Sequence, residues 1–172
     1  IYQELSTYEE MLRVGHVDGF ILSNTNFDDE RIQALNRNNF PFVSFGRANE
    51  DWDFLWVDVD GTAGTLAATR HLIAQGHRHI AFLAWPEVSQ TGYYRLQGYL
   101  DGMHEACLPM DPEWVQLAGN FYEESFTATQ RLLALPDGRR PSAIVASSDL
   151  MALGVINAGW DEGLEIVRRM QT

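Results

Sequence analysis

Short apolar runs followed by amphipathic stretches repeat almost without interruption along the chain, and this alternation narrows the fold more than any other feature. Ile80-Ala-Phe-Leu-Ala84 and Ala143-Ile-Val-Ala146 are apolar throughout, as strands covered on both faces must be, whereas strands with one wet face alternate apolar and polar residues. Strands are expected at 17–23, 42–45, 55–59, 79–84, 114–117 and 143–146. Helices are expected at 5–14, 28–38, 61–75, 123–135 and 149–158. A further helix is expected where Leu96, Tyr99, Leu100, Met103 and Cys107 share one stripe. Strand–helix alternation of this kind implies an α/β fold with parallel sheets flanked by helices.

Charge and residue choice then exclude several functions. The formal charge is −12 and all twelve basic residues are arginine. An acidic body repels phosphate backbones, so this stretch is not expected to hold nucleic acid by itself. Without lysine there is neither a Walker-type phosphate loop nor a Schiff-base nucleophile. The single Cys107 excludes an intrachain disulfide framework and a cysteine-based zinc site. There is no G-x-S-x-G and no G-x-G-x-x-G; Asp60-Gly-Thr-Ala-Gly64 lacks the third glycine. His71, His77 and His79 cluster, but without the i, i+4 spacing of a helical metal pair, and they read as a solvated turn. No acid–base pair stands out, so no catalytic residue, metal or cofactor is expected and the chain is read as a non-enzyme. No apolar run approaches the ~20 residues that span a bilayer, the first residues lack the order of a signal peptide, and the default compartment is cytoplasmic.

The chemistry gathers where strands end. In open α/β sheets ligands sit beyond the carboxyl ends of the strands. Ile144-Val-Ala-Ser-Ser-Asp-Leu-Met-Ala-Leu-Gly154 places two serines and an aspartate at such a seam. Ser147 or Ser148 can cap the following helix, and Asp149 suits its first turn; capping alone accounts for all three. Trp85-Pro86 ahead of Arg95, Gly119-Asn120-Phe121, and Leu22-Ser23-Asn24-Thr25 are further polar or aromatic seams, and Trp56 lies beside the boundary near Asp58 to Gly61. Arginine, serine, aspartate and aromatic faces together suit a sugar, whose rings have apolar faces and polar edges.

In order and spacing these pieces resemble the effector-binding core of lactose-repressor-type (LacI/GalR) transcriptional regulators. The resemblance is carried by Val17-Asp-Gly-Phe-Ile-Leu22, Phe40-Pro-Phe-Val43 with Gly46-Arg47, and Val57-Asp-Val-Asp-Gly61. It continues through His71-Leu-Ile-Ala-Gln-Gly-His-Arg-His-Ile-Ala-Phe82, Arg95-Leu-Gln-Gly-Tyr99 and Pro141 to Gly154. It implies a periplasmic-binding-protein-like fold of type I, with two lobes and a ligand cleft between them: an N-terminal lobe at 1–58, a C-terminal lobe at 59–162, and a late helix at 163–172 returning to the first lobe.

It also implies polypeptide before Ile1, comprising a helix-turn-helix DNA-binding domain and a first strand–helix–strand, together with a homodimer. Its site residues would be Arg95 on sugar hydroxyls, Ser148 where the family usually has asparagine, Asp149, Trp56, Phe121, Ser23 and Thr25. Gly159-Trp-Asp-Glu162 is similar to a later family motif, which makes Asp161 a ligand residue and leads to an expected gap in the chain within 157–164. The function implied is a regulator that closes on a mono- or disaccharide and thereby alters operator binding, with no membrane partner. A solute-binding protein of a sugar transport system shares the fold and is the alternative.

Overall fold

The computed structural model describes residues 2–15, 17–49, 51–86 and 88–166. They form two compact units, residues 1–59 with 88–91, and residues 60–87 with 92–172.

The first unit runs α1 (Tyr2–Val14), β1 (Phe20–Leu22), α2 (Glu30–Arg37), β2 (Phe42–Phe45) and β3 (Trp56–Val57). The strands form a parallel sheet in the order β1-β2-β3, with Phe20 paired to Phe42 and Phe45 to Val57. Leu22, Ile32, Leu35 and Ala48 are buried at its centre, and the Phe20 ring packs on Phe40. The period-two alternation of a strand is visible in β1, where Leu22 is buried and Ile21 exposed. The loop from β1 to α2 is set by Asp29. Its carboxylate accepts the Arg31 amide at 3.0 Å and the Asn26 amide at 3.2 Å, and Arg31 Nη2 donates to the carbonyls of Ser23 and Asn24. Such bracing suits a loop that holds two non-glycine residues, Asn24 and Asp28, at positive φ.

The second unit contains α3 (Gly61–Ala74), β4 (Ile80–Ala84), most of α4 (Gln90–Glu105), β5 (Val115–Leu117), α5 (Tyr122–Leu133), β6 (Ala143–Ala146) and α6 (Asp149–Asp161). Its sheet is parallel in the order β5-β4-β6. All five residues of the central β4 are buried, as the unbroken apolar run requires. Phe82 stacks on Tyr99, whose hydroxyl donates to the Ile80 carbonyl at 2.8 Å. Glycines allow the helices to touch. A Cβ at Gly98 would run into the Thr62 carbonyl of α3, and one at Gly154 would lie 2.8 Å from the Phe126 nitrogen of α5.

Two expected helix ends change. The helix expected at 149–158 continues to Asp161, and Leu164 then donates back to the Gly159 carbonyl at 2.9 Å. Gly159 and Trp160 lie within regular helix there. Ile166 lies against Gly159; of the late helix expected at 163–172, residues 167–172 lie outside the described residues. Cys107 is not on the α4 stripe, because the helix stops at Glu105 and Cys107 takes a left-handed φ of 51°.

Candidate ligand site

In the second unit the carboxyl ends of three strands converge as polar loops. Arg95, in the second turn of α4, extends its guanidinium over the ring of Trp85 just past β4, 4.9 Å from the ring centroid. Its Nη1 donates to the Ser147 carbonyl at the end of β6. Ser147 is buried, and its Oγ donates to the Leu83 carbonyl at 2.6 Å, which pins β6 to β4. Ser148 is the N-cap of α6: its Oγ accepts the Met151 amide at 3.3 Å and donates to Asn120 Oδ1 at 2.6 Å. Asp149 is exposed in the first turn of α6, where its charge complements the helix dipole. Phe121 begins α5 and is 61% exposed.

Arg95, Ser148, Asp149 and Phe121 are therefore all held at strand ends on one edge of this unit's sheet. A groove of about 910 Å³ runs along the outer edge of β6, from His77 and Ser142 at one end to Arg95, Ser148 and Asp149 at the other. At its carboxyl end the groove combines the charges of Arg95 and Asp149 with the Ser148 hydroxyl, polar groups suited to a small polar ligand. Asp161 is not brought there. It lies in the last turn of α6, roughly 18 Å along a thirteen-residue helix from the Ser148 cap.

The other expected residues belong to the first unit. Ser23 follows β1 and is exposed, with its carbonyl held by Arg31. Thr25 is 2% exposed, and its Oγ1 abuts Gly46, whose φ of 109° and missing Cβ permit the approach. Trp56 is 47% exposed in β3, with the Arg47 guanidinium 5.4 Å above its ring.

Burial opposes ionisation of Asp29, but the hydrogen bonds and charge of Arg31, with the Asn26 and Arg31 amides, outweigh it and hold the carboxyl below its usual value. That pair braces a loop. Among the described residues, no three His, Cys, Asp or Glu side chains converge as a metal site, and no helix is long and apolar enough to cross a membrane.

Residues 2–172 match the family described as periplasmic binding proteins and sugar binding domain of LacI family. The chain belongs to this family. Within it, the chain is 33% identical over 167 residues to the transcriptional repressor PurR of Actinobacillus pleuropneumoniae, covering 95% of this chain and 48% of that protein. It is 32% identical over 157 residues to the transcriptional regulator RafR of Escherichia coli, covering 91% and 46%. The chain thus spans about half the length of these relatives. Among solved structures, a LacI-family regulatory protein from Chloroflexus aggregans is 48% identical with a TM-score of 0.83, covering 93% of this chain and 57% of that one. The transcriptional regulator CelR, solved as its cellobiose complex, is 31% identical with a TM-score of 0.83, covering 95% and 50%. The two three-stranded parallel sheets flanked by helices are the type I periplasmic-binding-protein-like fold of LacI-family cores.

The sequence left open which serine caps α6; the structure gives the cap to Ser148 and the strand pin to Ser147. Sequence reasoning did not single out Met151 behind Trp85 or the Asp29–Arg31 brace. An aspartate ahead of a predicted helix was the available signal for the brace.

Proposed function

We propose that the chain is the effector-binding part of a sugar-responsive LacI-family regulator, and that the strand-end edge holding Arg95 is where the sugar is bound in the second unit. The supporting observation is the placement of Arg95: a planar five-donor cation fixed at the carboxyl end of a parallel sheet, beside the serine hydroxyl of a helix cap. Ser148, Asp149 and Phe121 are the partners proposed for the same ligand within this unit. The named relatives are transcriptional regulators and one solved relative holds cellobiose, which favours a regulator over a transport protein and a binding role over an enzymatic one. The effector is a mono- or disaccharide. Its differential affinity for two states of a homodimer shifts their populations, and so shifts operator binding by a DNA-binding domain outside the 172 residues.

A thermal-shift screen against mono- and disaccharides, with phosphorylated forms included, tests this. At 100-fold excess over the dissociation constant, a ligand stabilises by about 2.7 kcal/mol. That raises the midpoint of a domain this size by roughly 5–10 °C. A sugar that does so supports the reading, and conversion of that sugar to a product would replace it with an enzymatic one.

A further inference from the structure

Arg95 is enclosed on three sides, and the groups enclosing it are themselves fixed. Trp85 presents its ring face to the guanidinium at 4.9 Å. The indole N–H donates to Met151 Sδ at 3.0 Å, and Met151 is completely buried in the first turn of α6. On the stem side lies Gly61, where a Cβ would come 3.2 Å from Arg95 Cγ, so the backbone at the start of α3 walls the side chain in. At the tip is the Ser147 carbonyl, held in turn by the bond from Ser147 Oγ to the Leu83 carbonyl.

We infer that Trp85 is the positioning residue of the candidate site: its ring face sets the direction of the Arg95 guanidinium, and Met151 sets the ring. This rests on the reading of Arg95 as the ligand-binding arginine. The physical reason is entropic as well as electrostatic. A long cationic side chain loses rotamer freedom when a ligand immobilises it, and a stack that has already immobilised it lowers that cost. An aromatic face holds a guanidinium through its quadrupole, which an aliphatic side chain filling the same space lacks. Trp85 therefore acts through Arg95 and needs no contact with the ligand.

Met151, in the first turn of α6, and the indole of Trp85 lie between the Ser148 cap and the Arg95 guanidinium.

The test uses Trp85→Phe, which keeps a ring face, and Trp85→Leu, which removes it; Trp85→Met replaces the latter if that variant does not fold. Two readouts are taken on the purified protein. The first is the NMR signal of Arg95 Nε–H without ligand: the inference predicts that it stays ordered in wild type and Trp85→Phe and becomes mobile in Trp85→Leu or Trp85→Met. The second is affinity for cellobiose: Trp85→Phe should stay within about twofold of wild type, while the aliphatic variants weaken it roughly 3- to 20-fold. A role in packing alone would lower the melting temperature in the aliphatic variants and leave both readouts unmoved, and that result overturns the inference. If wild type binds no cellobiose, the affinities are measured with the sugar giving the largest thermal shift; if no sugar binds, the sugar reading is the one contradicted, and Arg95 order still decides the role of Trp85.

Discussion

Ser148 Oγ donates to Asn120 Oδ1 at 2.6 Å while accepting the Met151 amide at 3.3 Å. One hydroxyl thus closes the N-terminus of α6 and ties it to the loop between β5 and α5. With the bond from Arg95 to the Ser147 carbonyl, α4 and the loops following β5 and β6 are tied together at the edge where a ligand would sit.

Removing that hydroxyl should cost stability through both bonds. Ser148→Ala is expected to destabilise the protein by about 1–2 kcal/mol, the range for a lost N-cap, measured by urea denaturation. Asn120→Ala should cost less, and the double variant should cost less than the sum by roughly 0.5 kcal/mol or more. Strict additivity would mean that the two side chains do not share a bond.

The helical glycines should respond in opposite directions. Gly64 has open space where a Cβ would go, so Gly64→Ala should stabilise α3 by about 0.5–1 kcal/mol. At Gly98 a Cβ would meet the Thr62 carbonyl, and Gly98→Ala should destabilise by roughly 1–3 kcal/mol because α3 and α4 must separate. Melting temperatures of the two variants moving the same way would contradict this account of the helix contact.

These contrasts mark where sequence reading succeeds. The strands β2 and β6 were legible to the residue, because apolar runs bounded by Pro41 and by Ser147-Ser148 leave little freedom in placing their ends. Arg95, Ser148, Asp149 and Phe121 were legible as a group because strand-end position is a local property. The misplaced helix end has a local source: Cys107 continued a four-residue spacing after α4 had ended. Thr25 is almost completely buried against Gly46, a contact between segments twenty-one positions apart that its own stretch does not announce. The stack of Arg95 on Trp85 and the bond from Trp85 to Met151 depend on how β4, α4 and α6 meet, which no single segment encodes.

Acid should loosen the first unit through Asp29. Its carboxyl is held below the usual value of 3.8 in the folded state, so its stabilising contribution is complete above that pH. The contribution falls as the pH drops below about 4, through the lowered folded value. Asp29→Asn should therefore lower stability at neutral pH and flatten its dependence on pH in that window, followed by urea midpoints between pH 2 and 6. An unchanged acid profile in Asp29→Asn would show that the brace between Asp29 and Arg31 does not contribute to folding.

The central claim is that the strand-end edge built around Arg95 binds the effector. The most direct measurement is isothermal titration of the sugar giving the largest thermal shift into wild type and into Arg95→Ala. Losing hydrogen bonds from a charged donor should cost about 1.5–3 kcal/mol, or roughly 10- to 150-fold in dissociation constant, while the variant keeps its cooperative unfolding transition. Equal affinity in the two proteins would remove Arg95 from the site and move the ligand away from this edge.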